Sequence, residues 1–291
     1  MPKVRKAPGF PSPVSSSGLL RVGAVLFCSA SFAGPVEASD AKYLLGVFPF
    51  LPPAALLETY GPVIGEISRA MGATIKFQTK PDFQKFKTAL EKKTYDIALV
   101  QPFDYIDAVD KFGYLPIARG ARQLRAVFAV SPTSDIRRLE DLKGRRVATP
   151  PATAAVRYLA FEKLWQIGLK PDSEVNFVTF PNHPACLRSV LIGDTASCVT
   201  TEIAIRLSVS RKQGKFRIIA KTPPIPHMVF VAHSRMPRKA RTVLLKSLLM
   251  LNETKQGRLA LERINLPKGF VAAVDSDYDV VRALAKKFTT R

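Results

Sequence analysis

Residues 143–166 read KGRRVATPPATAAVRYLAFEKLWQ, and the order of elements in this stretch decides the fold. Arg146-Val147-Ala148-Thr149 is a short β-prone run, and Pro150-Pro151 is a turn that cannot lie inside a helix. From Ala152 onward, Val156, Leu159, Ala160 and Leu164 recur at helical spacing. A strand, a tight turn and a helix start in succession aim unpaired backbone N–H groups at one point. Such a point favours an anion.

The same succession recurs on both sides. Upstream, β-prone runs at 43–48, 73–77, 95–100 and 114–118 alternate with helical patterns. Those helices open at Pro53, after Asp82 and at Gln101-Pro102, and Gly72 closes the first of them. This order predicts a parallel sheet with helices on its faces. An extended run at 124–130 then leads into a second unit. There a short helical turn at 139–144 precedes the opening stretch, and strands at 175–180, 196–200 and 216–220 alternate with helices at 183–192 and 202–208. Pro223-Pro224-Ile225-Pro226 is too proline-rich for a helix and leads to an extended segment at 227–232. Helical patterns at 238–251, 254–264 and 278–288 complete the chain. Two α/β units joined by two extended crossings imply lobes that hinge on a cleft, with the ligand at the carboxyl ends of the strands.

Composition narrows the class. The chain has 291 residues, 47% of them hydrophobic, which describes a packed globular protein and not a disordered one. A formal charge of +21 suits nucleic acid, an anionic membrane surface or the handling of small anions. The basic residues are scattered through every element without a nucleic-acid-binding motif, which argues against nucleic acid as a partner.

At the N-terminus, Lys3, Arg5, Lys6 and Arg21 precede an apolar run at 22–32, which Gly34-Pro35 breaks before Val36-Glu37-Ala38. Residues 1–38 therefore read as a secretory signal, its apolar run shorter than the roughly 20 residues that span a bilayer. Export leaves Cys186 and Cys198, 12 positions apart, in an oxidising space. A helix and the strand after it can bring them level for a disulfide, or they are two small buried hydrophobes. Neither has the spacing of a zinc ligand.

Several short motifs then fall in a telling order. They are Gly46 to Pro53 (GVFPFLPP), Pro81-Asp82-Phe83, Tyr95-Asp96-Ile97-Ala98, Gln101-Pro102-Phe103-Asp104-Tyr105, Leu139 to Gly144, Asn182-His183 and Pro223 to Pro226. Taken together, the chain resembles the phosphonate/phosphate/phosphite-type periplasmic solute-binding proteins of ABC importers. That resemblance implies an α/β, two-lobed type II periplasmic-binding-protein fold closing on a small oxyanion. The implied organisation is a signal peptide at 1–38, a discontinuous first lobe of 39–125 plus 225–291, and a second lobe of 126–224.

In phosphonate binders of that family a Ser-Thr-Ser-Gly turn at a helix start grips the phosphorus oxygens. The corresponding residues here are Ala152-Thr153-Ala154-Ala155, so a backbone cradle at Ala154 and the Thr153 hydroxyl are what remain, with Arg157 one turn on. The family histidine corresponds to His183 and its acidic residue to Glu202. Phe83 and Leu124 stand where tyrosines are usual. His227-Met228 replace the asparagine-aspartate pair that recognises an amino group, which disfavours an aminoalkylphosphonate.

Each of these residues also has a plain structural reading. Thr153 can be an ordinary first-turn residue, and His183 can cap its own helix beside Asn182. Glu202 can simply occupy a first turn, where negative charge is favoured. His227 lines the cleft or packs at the hinge. Phe48, Phe50, Phe83, Phe103 and Tyr105 all fall near strand ends, as pocket wall or as core. Tyr105, with its polar tip, is the preferred ligand contact among them, and Gln101 and Asp104 are the other expected polar partners on the first lobe.

The expectation is an exported, periplasmic, monomeric binding protein that captures a phosphate, phosphite or phosphonate and delivers it to a membrane ABC permease. The expected ligand set is Phe50, Phe83, Gln101, Tyr105, Thr153, Ala154, His183, Glu202 and His227. No cofactor, metal or catalytic residue is expected, since no Ser-His-Asp order, metal cluster or activated cysteine is present. A periplasmic sensing subunit that docks on a membrane signalling protein is the alternative.

Overall fold

The computed structural model describes residues 42–171, 173–210 and 215–289. The secretory segment expected at 1–38 lies outside the described residues. In chain order, β1 (Lys42–Val47), α1 (Pro53–Met71), β2 (Thr74–Gln78), α2 (Phe83–Glu91), β3 (Ile97–Val100), α3 (Pro102–Asp110) and β4 (Tyr114–Gly120) come first. The chain then crosses through β5 (Gln123–Leu124) into β6 (Val127–Val130), β7 (Arg146–Thr149), α4 (Ala155–Gln166) and β8 (Asn176–Thr179). Next are α5 (His183–Leu191), β9 (Ser197–Thr200), α6 (Glu202–Ser210) and β10 (Arg217–Lys221). It returns through β11 (Ile225–Pro226) to β12 (Val229–His233), α7 (Arg238–Leu249), α8 (Lys255–Arg263), β13 (Phe270–Ala272) and α9 (Asp279–Thr289).

Local chemistry accounts for the element boundaries. Pro53 opens α1, where its missing N–H costs nothing, and Gly72 ends it in the left-handed region at φ 57°. The side chains of Asp82, Asn182 and Thr254 accept the N–H groups of Lys85, Ala185 and Gly257 at 2.7, 3.0 and 2.9 Å. Each thereby satisfies a donor that the first turn of its helix would leave unpaired. β3 is four apolar residues, all buried, as a strand covered on both faces requires.

Two sheets result, of strand order β13-β4-β12-β3-β1-β2 and β10-β6-β9-β7-β8. The crossings pair with each other: β5 and β11 form an antiparallel ribbon with Ile225 opposite Leu124 and Pro226 opposite Gln123. The sheets are mixed and not wholly parallel as expected. β1 runs parallel to β2 and β3, but β12 enters antiparallel between β3 and β4, and β6 is antiparallel to β9 and β10. The chain re-enters the first sheet directly from the second crossing, so β12 runs against the strands laid down before the chain left. β13 is a three-residue edge strand absent from the sequence reading.

Cys186 on α5 and Cys198 on β9 are joined by a disulfide, with Cα atoms 5.7 Å apart. α9 reaches from one sheet to the other. At its start Tyr278 packs on Tyr105, ring centroids 4.0 Å apart, and Arg282 pairs with Asp110 and Asp275 at 2.8 and 2.7 Å. At its end Lys287 pairs with Glu162 of α4 at 2.6 Å.

Candidate ligand-binding site

A cavity of about 80 Å³ lies between the two sheets. The first sheet and its helices contribute Phe48, Phe50, Leu51, Phe83, Gln101 and Pro102. The second contributes Ala154, Ala155, Val156, His183, Thr201, Ile203, Ala204 and Leu207, and the crossings contribute Leu124, His227 and Met228. Five helices, α2 to α6, begin at this cavity, because each follows a strand whose carboxyl end points towards it. Helix starts carry partial positive charge and unpaired N–H groups.

The walls are otherwise apolar and neutral. Phe48 packs on Phe50 and Phe83 with ring centroids 4.7 and 5.9 Å apart, and Phe50 meets Tyr60 edge-on at 6.1 Å. No lysine or arginine is among the lining residues. Burial pushes the His183 imidazole down to about 4, and burial, then the nearby Arg122, pushes His227 down to about 3. Both rings are therefore uncharged at neutral pH. His183 Nδ1 shares a hydrogen bond with Thr200 Oγ1 at 2.8 Å. His227 Nδ1 is buried without a hydrogen-bond partner, and a Cβ on Gly120 would stand 2.9 Å from it, so glycine is what leaves room for the ring.

Gln101 spans the cleft. It lies at the end of β3, is 3% exposed, and holds the turn before α4 at two points. Its Nε2 donates to the Thr153 carbonyl at 2.7 Å, and its Oε1 accepts from the Ala155 N–H at 2.8 Å. Nε2 also donates to Asp104 Oδ2 at 3.0 Å. Burial pushes the Asp104 carboxyl up to about 7, against the opposing influence of the Gln101 hydrogen bond and of Lys87.

Of the residues expected from sequence, Phe50, Phe83, Gln101, Ala154, His183 and His227 surround this cavity. Three lie elsewhere. Thr153 faces a separate outer groove together with Asp104, Arg157 and Tyr158, and only its carbonyl turns to Gln101. The Arg157 guanidinium sits over the Phe161 ring at 4.5 Å. Tyr105 is buried against Tyr278 and donates its hydroxyl to Asp275 at 2.8 Å. Glu202 pairs with Lys221 on β10, and that ammonium holds its carboxyl below the ordinary range. Thr201, Ile203 and Leu207 line the cavity without having been singled out. Thr201 carried a usable signal, since it sits between a buried strand and a helix start and caps the N–H of Ala204 at 3.2 Å. Among the described residues no three His, Cys, Asp or Glu side chains are grouped to hold a metal ion. No helix among them is long and apolar enough to cross a membrane.

Residues 45–278 match the family model described as "ABC transporter, phosphonate, periplasmic substrate-binding protein". No protein of curated function matches the chain by sequence. Among solved structures, PhnD1 of Prochlorococcus marinus in complex with methylphosphonate superposes with a TM-score of 0.77 at 16% identity, covering 87% of this chain and 100% of that one. A binding protein component of an ABC phosphonate transporter from Pseudomonas aeruginosa gives 0.76 at 16% identity, over 84% and 86% of the two chains. The periplasmic aliphatic sulphonate binding protein SsuA of Escherichia coli gives 0.58 at 14% identity, over 87% and 88%. At such identities these structures establish the fold, which is the type II periplasmic-binding-protein fold.

Proposed function

Because the chain belongs to the family of periplasmic substrate-binding proteins of phosphonate ABC transporters, a family of transport proteins and not of enzymes, we propose that it captures a small oxyanion between its two sheets and hands it to a membrane permease. The ligand class is phosphate, phosphite or a phosphonate. The observation that carries this reading is the convergence of five helix starts, drawn from both sheets, on one cavity. Such a cavity favours an anion through backbone dipoles, without needing a cationic side chain.

Capture proceeds by closure of two lobes, 39–125 plus 225–291 against 126–224, about the β5–β11 ribbon. Residues 1–38 direct export, and the chain works as a monomer in the periplasm. The net positive charge raises the encounter rate with an anionic solute. Calorimetric titration with phosphate, phosphite, methylphosphonate and sulfate tests the ligand class. Heat with at least one of the phosphorus oxyanions supports it, and silence with all four overturns it.

A further inference from the structure

The edge of the first sheet that faces away from the cavity collects cations. β1 and β3 begin there, and the antiparallel β12 ends there, with Ala232 opposite Ile97 and His233 opposite Tyr114. β12, β3 and β1 are neighbours in the sheet. Each brings basic side chains to this edge: Arg235 just after β12, Lys92 and Lys93 just before β3, and Lys42 at the start of β1. The Arg235 guanidinium ties the first two together, donating to the Lys93 carbonyl at 2.5 Å and to Asp96 Oδ1 at 2.9 Å. The same loop then opens α7 with Arg238 and Lys239. Residue 42 and segments 91–96 and 234–241 together hold seven Lys or Arg against two carboxylates, Glu91 and Asp96, and Asp96 is taken by Arg235.

Internal pairing does not use this charge. Lys42, Lys92, Lys93, Arg238 and Lys239 are exposed, and among the described residues none of them forms an ion pair. α7 begins on cations, with no acidic residue in its first turn and no side-chain cap, the reverse of what the positive end of a helix favours. An anionic partner relieves both. We propose that this edge docks on a bilayer surface carrying anionic phospholipid headgroups. Charge complementarity is the first argument, since unpaired lysines and arginines gathered on one exposed face are each drawn to such a surface. The chain itself is the second. Residues 1–41 join the structure at Lys42, within this edge, and they include the apolar run at 22–32, the part of the sequence suited to hydrocarbon. A bilayer that takes up that run meets this edge of the folded chain first. The cavity lies at the opposite, carboxyl ends of β1 and β3, so docking leaves the cleft free, and the proposal stands whether or not the ligand is an oxyanion.

The test is co-sedimentation of the full chain with vesicles of phosphatidylcholine alone and of phosphatidylcholine mixed with phosphatidylglycerol, at low and at physiological salt. The apolar run is common to every variant, so the excess bound to the mixed vesicles reads the basic edge. That excess should be present in the wild type and fall as salt screens it. It should drop about tenfold or more in Lys92→Gln with Lys93→Asn, and again in Arg238→Gln with Lys239→Gln. Asparagine suits residue 93, whose φ is 55°. Lys170→Gln with Arg188→Gln removes the same charge from exposed positions on the second lobe and should leave the excess unchanged. Thermal melts check the fold of each variant. An equal loss in the second-lobe pair assigns the binding to net charge and overturns the role of this edge. A wild type with no excess on the mixed vesicles overturns the proposal outright. Poly-glutamate bound as tightly as the mixed vesicles at equal charge gives the edge to an acidic polypeptide and overturns the lipid assignment.

Discussion

The Phe288 ring meets the Tyr158 ring edge-on, with centroids 4.9 Å apart, so the last helix of the chain ends on the sheet opposite the one where it begins. Phe288 also lies 5.0 Å from Trp165, and Lys287 pairs with Glu162 beside it. The two crossings are therefore not the only physical link between the lobes. A side-chain strap accompanies them, made by α9 against α4.

Phe288→Ala should lower stability by about 2 kcal/mol, less than a fully buried phenylalanine costs, because the ring is half-buried. Lys287→Ala should cost at most about 1 kcal/mol, as an exposed ion pair does. Urea unfolding followed by Trp165 fluorescence reads both. Equal and negligible shifts would mean that the strap carries no load.

Thr153→Ala should leave ligand affinity unchanged, because only the carbonyl of that residue faces Gln101 and its side chain lies in the outer groove. Phe50→Ala should weaken binding of methylphosphonate about tenfold through lost apolar contact. The pair of titrations discriminates the inner cavity from the outer groove, and the opposite ranking would move the site to the groove.

Stability should vary with pH in two opposing limbs. The unfolded imidazoles titrate near about 6.5, whereas folded His183 and His227 titrate at about 4 and about 3. Their contribution is whole above the unfolded value and is lost as pH falls through the folded ones. Asp104 acts in the other sense. Its folded carboxyl titrates at about 7, well above the unfolded value of 3.8, so its contribution is whole at low pH and is lost as pH rises through 7. Asp104→Asn should therefore stabilise the protein near pH 8, by at most about 4 kcal/mol, while still accepting from Gln101. His183→Gln should flatten the acid limb. Melts across pH 4 to 8 check both signs, and a destabilised Asp104→Asn at the alkaline end would refute the assignment.

Replacing Cys186 and Cys198 together by alanine should cost about 2–4 kcal/mol, the usual worth of a bridge closing a loop of this size. Denaturant midpoints of the oxidised protein and the double variant measure it directly. No difference would show that the bridge merely decorates a wall already held by packing.

Much of this fold was legible in the sequence because its punctuation is chemical. Pro53, Gly72 and Asp82 mark helix ends through a missing donor, left-handed backbone and a side-chain cap, and each acts where it was read; at α5 the cap is Asn182, where the sequence reading offers His183. Strand direction was not legible. The apolar run of β12 looks the same whichever way it enters the sheet, and only the return crossing sets it antiparallel. β13 escaped because Phe270 alone is buried among its three residues. Around the cavity, the aromatic residues and His183 could be picked out because they sit beside helix starts, whereas His227 lies on the return crossing between β11 and β12 and was reached only through the family resemblance. The Gln101 clasp could not be picked out, since its partners lie 52 and 54 positions away and are backbone atoms without a residue-type signature. Tyr105 was misleading for a related reason: its polar tip is satisfied by Asp275, 170 positions away.

The bridge between α5 and β9 also bears on where the protein becomes competent. Cys186 lies one helical turn beyond His183, and Cys198 lies two residues before Thr200 on the same face of its strand. Oxidation thus locks the register in which the imidazole and the threonine hydroxyl meet. One wall of the cavity is a product of maturation. A chain with free thiols would hold that wall by packing alone, so the geometry around His183 depends on the redox state of its surroundings.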